Sequence, residues 1–227
     1  MAVVRLPHIA NFTDFTPLQA EPGVELVYAE EPAALVILPG SKDTIADLRA
    51  LKARGFVDAL AAHRARGGRV LGVCGGYQML GLAVADPHHV EGGGEEAGLG
   101  LLPVTTRLGR EKVTRRVRAR WRADGPGFEG YEIHVGVTAN DGPARPLLDV
   151  EGRPEGCAAA DGRVWGTQLH GLFESGPARR HVLDWASGAP AVAGAPAPLD
   201  HRARREAAYD RLADALDEQL LRDLGVA

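Results

Sequence analysis

Cysteine is scarce in this chain: of 227 residues only Cys74 and Cys157 carry a thiol. So low a count argues against a disulfide scaffold and for a reducing compartment. No Cys-x-x-Cys pair and no His-Glu-x-x-His run occurs, so no metal site is signalled. Long apolar runs are missing as well. No segment approaches the ~20 apolar residues of a membrane helix, and Met1 to Pro7 lack the apolar stretch of a signal peptide. The expected location is therefore the cytoplasm. Nor is there an excess of basic charge. The 26 Lys and Arg against 30 Asp and Glu leave a net charge of −4, no electrostatic footprint for nucleic acid or an anionic membrane. Internal repeats are absent. What is there is a composition of ordinary globular type, 45% hydrophobic and 25% charged, on a chain long enough to bury a sizeable core.

Short apolar runs alternate with helical patterns, the order that yields an open, mostly parallel sheet with helices on both faces, an α/β fold. Strands are expected at Val3 to Leu6, Val24 to Tyr28, Ala34 to Leu38 and Val70 to Val73. One helix is expected from Thr44 to Ala53, capped by Asp43 with Ile45, Leu48 and Leu51 inward; a second runs from Phe56 to Ala65 with Val57, Leu60 and Ala61 inward. Further on, Val113 to Trp121 alternates arginines with valine and alanine, as a half-exposed strand does. Tyr131 to Val137 and Val164 to Leu169 read as strands, Pro177 to Trp185 as a helix. The organisation expected is one domain over 1–188, an Ala/Pro-rich linker over 189–201, and a helix over 202–227 docked through Tyr209, Leu212, Leu216 and Leu220.

One run carries chemistry. Gly68-Arg69-Val70-Leu71-Gly72-Val73-Cys74-Gly75-Gly76-Tyr77-Gln78-Met79-Leu80 reads as a buried strand, a sharp glycine turn and a helix, with a cysteine at the corner. A sulfur there meets backbone N–H groups at a helix start, which favour thiolate over thiol. An internal cysteine is most often simply buried, but the flanking glycines and Gln78 argue for a nucleophile. The second feature is His170, at the end of the run Trp165-Gly166-Thr167-Gln168-Leu169 and followed by a glycine. A histidine at a strand end can project over the edge of a parallel sheet, and a Cys–His couple supplies both an activated sulfur and a proton donor. Cys157 has no glycine elbow and is expected to be an inert buried thiol. The roles of His8 and His134 stay open.

The run around Cys74 resembles the nucleophile elbow of class I glutamine amidotransferases, with glutamine four residues after the cysteine. Five further runs are similar to the cobyric acid synthase branch of that family. They are Leu6 to Phe15 (LPHIANFTDF), Leu38 to Thr44 (LPGSKDT), Gly130 to Gly136 (GYEIHVG), Leu169 to Phe173 (LHGLF) and Ala208 to Asp214 (AYDRLAD). The resemblance implies a flavodoxin-like fold and a glutaminase in which Cys74 attacks the glutamine side-chain amide and His170 serves as base and then acid. Backbone N–H groups of Gly40 and Gly75 would hold the oxyanion, and Gln78 would grip the substrate.

Two departures from the family pattern matter. Many class I relatives carry a glutamate two residues after the histidine; here that position is Leu172, so the site reads as a Cys–His dyad, with Glu174 as an alternative carboxylate. The chain also holds no Gly-x-x-x-x-Gly-Lys-Ser/Thr phosphate loop. No cofactor is therefore expected on it. ATP and Mg²⁺ are expected on a separate synthetase domain that activates corrinoid carboxylates, with the present residues supplying ammonia for their amidation. The alternatives are a stand-alone glutaminase serving another ligase, such as one that amidates cell-wall precursors, or a non-catalytic assembly module.

Overall fold

Runs from the first 73 residues and from residues 157–167 pair into a six-stranded sheet in the computed structural model, which describes residues 1–29, 33–143, 145–188, 201–215, 222–223 and 225. With strands numbered along the chain, the order is β13 (Cys157–Ala158), β14 (Val164–Thr167), β6 (Arg69–Val73), β4 (Leu35–Leu38), β1 (Ala2–Val3) and β3 (Val27–Tyr28). Every pairing is parallel except β13 with β14. β1 and β3 are shorter than the runs that signalled them.

Alternation along these strands splits their side chains between two cores. Val3, Leu35, Ile37, Leu71 and Val73 pack on one face with α5 (Gly176–Ser187), together with Phe15 of a 3-10 turn (Phe12–Phe15) and Leu18 of α1 (Thr16–Gln19). Val4, Val36, Leu38 and Val70 pack on the other with α2 (Thr44–Ala53), α3 (Phe56–Ala65) and α4 (Gly75–Leu80). Helices therefore cover both faces. The bounds of α2 and α3 coincide with those expected, and Asp43 caps α2 by accepting from the Ala46 N–H at 3.0 Å. The inward face of α3 differs from expectation. It is Phe56, Leu60 and His63, while Val57 is 42% exposed. Burying the phenyl ring removes more apolar area from water than burying the valine would, and His63 is accommodated because its Nε2 lies 2.9 Å from the Arg69 carbonyl.

A second, largely antiparallel sheet fills the region that the sequence marked only as loop and strand. Its order is β12 (Arg153–Glu155), β11 (Leu148–Val150), β9 (Val104–Trp121), β10 (Gly127–Asn140) and β15 (Leu169–His170), with β7 (Ala83–Asp86) and β8 (Gly94–Ala97) alongside β9. The arginines of β9 point largely to solvent. Its Val117, Ala119 and Trp121 join the first core instead. The strand expected over Val164 to Leu169 is broken at Gln168: four residues stay in the parallel sheet, and the chain then crosses to pair with β10. A small pairing of β2 (Ile9–Ala10) with β5 (Gly40–Ser41) completes the strands.

The C-terminal helix α6 (His201–Ala215) meets the body through Glu174, which takes His201 at 3.4 Å and Arg205 at 3.0 Å. The apolar stripe does not dock where it is described, since Tyr209 is 61% and Leu212 58% exposed. Residues 189–200, Leu216 and Leu220 lie outside the described residues.

Candidate active site

Val73 of β6 and Thr167 of β14 are register partners at the carboxyl end of the parallel sheet, the edge at which open α/β folds place their ligands. Cys74 follows the first directly, and His170 follows the second by three residues. The Cys74 N–H donates to the Thr167 carbonyl at 2.8 Å, and α4 starts at the next residue. Between them Cys74 takes φ 52° and ψ −111°, a conformation that costs a residue with a Cβ on the order of 1–3 kcal/mol and that clusters at functional sites. The sulfur sits 3.6 Å from the Ile133 carbonyl of β10, to which it donates.

Close packing accounts for the elbow's glycines. A Cβ on Gly76 would lie 2.0 Å from the Leu38 carbonyl oxygen, and one on Gly75 would lie 2.8 Å from the Ser41 nitrogen. The Gly40–Ser41 segment thus presses against the elbow, and a Cβ on Gly40 would stand 3.5 Å from Cε1 of His170. Gly75 adjoins the sulfur and Gly40 the imidazole. Gln78 is 2% exposed, and its Oε1 accepts from the Thr44 hydroxyl at 3.3 Å.

His170 is fully buried, and its ring stacks on that of Tyr131, with centroids 5.1 Å apart and planes at 13°. A carboxylate adjoins the ring that the sequence couples only to Cys74. Nδ1 lies 2.5 Å from Oδ2 of Asp14, a carboxylate 156 residues away in the chain. Leu172 has no carboxyl and is buried in the first core, and Glu174 is turned toward α6, where it meets His201 and Arg205. Burial alone would drive His170 toward the neutral form, but hydrogen bonds with Asp14 and Cys74, and then their charges, outweigh it and raise its pKa to about 9. The net direction favours the protonated ring. A positive ring beside a cysteine sulfur is the arrangement that makes a thiol nucleophilic.

Two histidines left open by the sequence have defined surroundings. His8 sits 2.8 Å through Nδ1 from Asp47, a fully buried carboxylate that also accepts from the Ser41 hydroxyl at 2.6 Å, so the Gly40–Ser41 segment is tied to α2. His134, beside Ile133, has a buried Nδ1 without a hydrogen-bond partner among the described residues, and burial lowers its pKa. Cys157 is 1% exposed, and burial pushes its thiol up to about 11, which fits an inert side chain.

Glu155 lies near the strand crossing, accepting from the Gln168 N–H at 2.8 Å and from the Thr167 hydroxyl. Burial lifts its carboxyl from 4.5 to about 7 against those two bonds. Because the folded pKa is raised, this group's contribution to stability is fully present below pH 4.5 and is lost as pH rises through about 7. Glu155→Gln should therefore gain stability relative to the unaltered chain between pH 5 and pH 8, by up to about 3 kcal/mol in urea unfolding. An identical difference at both pH values would refute this.

The architecture is that of solved glutamine amidotransferases. A structure described as a glutamine amidotransferase superposes with a TM-score of 0.64 at 19% identity, covering 82% of this chain and 98% of that one. PurLQS from Thermotoga maritima superposes with a TM-score of 0.62 at 17% identity, covering 82% and 96%. Residues 1–178 match the CobB/CobQ-like glutamine amidotransferase domain, and the chain belongs to that family. Within it, the chain is similar to the cobyric acid synthase of Cereibacter sphaeroides, 47% identical over 96% of this chain and 45% of the relative. The cobyric acid synthase of Rhodobacter capsulatus is 48% identical over 97% of this chain and 46% of the relative. The chain thus spans less than half the length of these curated relatives. Among the described residues, no helix is long and apolar enough to cross a membrane.

Proposed function

We propose that the chain is the glutaminase part of a cobyric acid synthase, releasing ammonia from glutamine for ATP-dependent amidation of corrinoid side-chain carboxylates, from adenosylcobyrinic acid a,c-diamide to adenosylcobyric acid. The observation that carries the reaction class is the strained Cys74 at the elbow with the fully buried His170 ring beside its sulfur. The Cys74 thiol passes its proton to His170 as the sulfur attacks the side-chain amide carbon of glutamine. Backbone N–H groups of Gly40 and Gly75 receive the negative oxygen, each donor contributing about 2.7–4 kcal/mol to lowering the barrier. His170 passes its proton to the departing nitrogen, which leaves as ammonia, and a glutamyl thioester remains. The now neutral imidazole takes a proton from water, hydroxide adds to the thioester, and glutamate leaves as the sulfur is expelled. Gln78 backs the substrate side of the elbow.

The corrinoid, ATP and Mg²⁺ belong on a synthetase domain, in the same or a separate polypeptide, which is the partner of this chain. Length supports that division, because the curated relatives carry a further half that this chain does not match. Two free cysteines support a cytoplasmic location. Mixing the chain with the synthetase part, the diamide corrinoid, glutamine and ATP should raise glutamate release and yield the amidated corrinoid, followed by mass spectrometry. Glutamate release without corrinoid amidation, but with amidation of another ligase's substrate, would move the chain to that ligase.

A further inference from the structure

The imidazole of His170 is held by groups that lie far from it in sequence. Asp14, in the 3-10 turn, is 7% exposed and uses both carboxylate oxygens: Oδ2 stands 2.5 Å from His170 Nδ1, and Oδ1 accepts from the Tyr131 hydroxyl at 2.9 Å. Tyr131 is the direct register partner of His170 across β10 and β15, which is why its ring stacks on the imidazole. Asn11 adds a third contact. Its Nδ2 is 3.3 Å from Nδ1 and 3.2 Å from Nε2, and a point in the ring plane at those distances would collide with Cε1, so the amide lies across the ring face. Asn11 takes φ 52° and ψ 37° to do so.

We infer that Asp14 is the positioning carboxylate of His170, anchored by Tyr131, and that it replaces the glutamate which other class I members place two residues after the histidine. The inference rests on the glutaminase reading of Cys74 and His170. With Nδ1 committed to Asp14, Nε2 is the nitrogen left for the sulfur. The position of Asp14 also follows from the fold. Two residues of the same stretch, Ile9 and Ala10, pair with Ser41 and Gly40, so residues 8–14 tie the oxyanion segment and the imidazole to one backbone. Sequence position 172 had to be apolar because it fills the core beside Phe15 and Phe173. The carboxylate comes instead from the turn that carries Phe15. The charged and titratable groups facing His170 are Cys74 from the elbow, Asp14 from the turn, and Tyr131 and His134 from β10.

The test compares Asp14→Asn, Asp14→Glu and Tyr131→Phe with the unaltered protein by kcat and KM for glutamine hydrolysis across pH, and by NMR titration of the His170 ring. Asp14→Asn should lower kcat by about 10²-fold or more with KM little changed. This is less than the ~10⁴-fold cost of losing the aspartate of a serine triad, because cysteine needs less activation. The alkaline limb, at which His170 loses the proton it gives to ammonia, should move down by one pH unit or more, and the ring pKa should fall with it. Asp14→Glu should recover part of both. Tyr131→Phe should move both in the same direction by less, and it decides the matter if Asp14→Asn fails to fold. An unchanged ring pKa in these variants, or a loss confined to KM, would overturn the inference. If the unaltered protein released no glutamate from glutamine, the glutaminase reading would fail, while the NMR titration would still decide the role of Asp14.

Discussion

Cys74→Ser should leave a folded protein that releases no measurable glutamate from glutamine, a loss of at least about 10³-fold in kcat. Cys74 occupies the corner between a buried strand and α4 at φ 52°, with its backbone held by the Thr167 carbonyl and its sulfur beside a buried imidazole whose pKa is raised by its hydrogen bonds to Asp14 and Cys74. A serine hydroxyl in that place has no comparable acidity, so an imidazolium does not make it an alkoxide. The fold itself should barely notice, because the exchange alters one atom. Covalent labelling by a diazoketone analogue of glutamine supplies a second readout, complete for the native chain and absent for Cys74→Ser. Cys157→Ala should label as the native chain does, since Cys157 is buried and its thiol is pushed up to about 11. Loss of labelling in Cys157→Ala with retention in Cys74→Ala would defeat the assignment of the nucleophile.

Gly76→Ala should unfold or severely destabilise the chain, and the sign is what makes it informative. Gly76 lies inside α4, where helix propensity alone predicts a gain of about 1 kcal/mol on going to alanine. The added Cβ, however, would stand 2.0 Å from the Leu38 oxygen and 2.5 Å from its carbonyl carbon. Both atoms belong to the backbone of β4 in the middle of the parallel sheet, so no side chain can swing away. Overpacking against movable neighbours already costs about 1–3 kcal/mol. Here the helix or the strand must shift, and a loss above about 3 kcal/mol is expected, a large share of a typical domain's 5–15 kcal/mol. Thermal and denaturant unfolding of the variant, with soluble yield, provide the measurement; a melting temperature equal to or above that of the native chain would show that α4 does not lie this close to β4.

The elbow at Cys74 and the strand end at His170 were legible because each is marked by local pattern. Cys74 stands between an apolar run and paired glycines, and His170 ends a strand and precedes a glycine. Helices α2 and α3 were legible down to their ends for the same reason, since a capping aspartate and 3.6-residue periodicity are properties of a dozen consecutive residues. The inward face of α3 was not, because the choice between Phe56 and Val57 depends on the surface against which the helix packs. The long hairpin of β9 and β10 was read only in part. Its register includes an irregularity between Val135 and Val137, and pairing between strands is set by partners, not by the strand's own residues.

Asp14 shows where reading along the chain stops. Asp14 lies in the run Leu6 to Phe15, which carries the family resemblance without marking any one residue, and in sequence the position two residues after His170 is Leu172 and the nearest carboxylate after it is Glu174. A side chain reaches only a few ångströms, so whether a carboxylate meets an imidazole 156 residues away is decided by how the 3-10 turn, β15 and β10 are stacked. The sequence by itself determined the α/β class and the elbow at Cys74, because those rest on local backbone geometry and on residue types, and its resemblance to class I glutamine amidotransferases supplied the glutamine chemistry. Only the tertiary structure decided which group holds the catalytic ring, which glycines are sterically obligatory, and that the Gly40–Ser41 segment and His170 are tied by one strap of chain, since each of these is a distance between residues that the chain brings together only by folding.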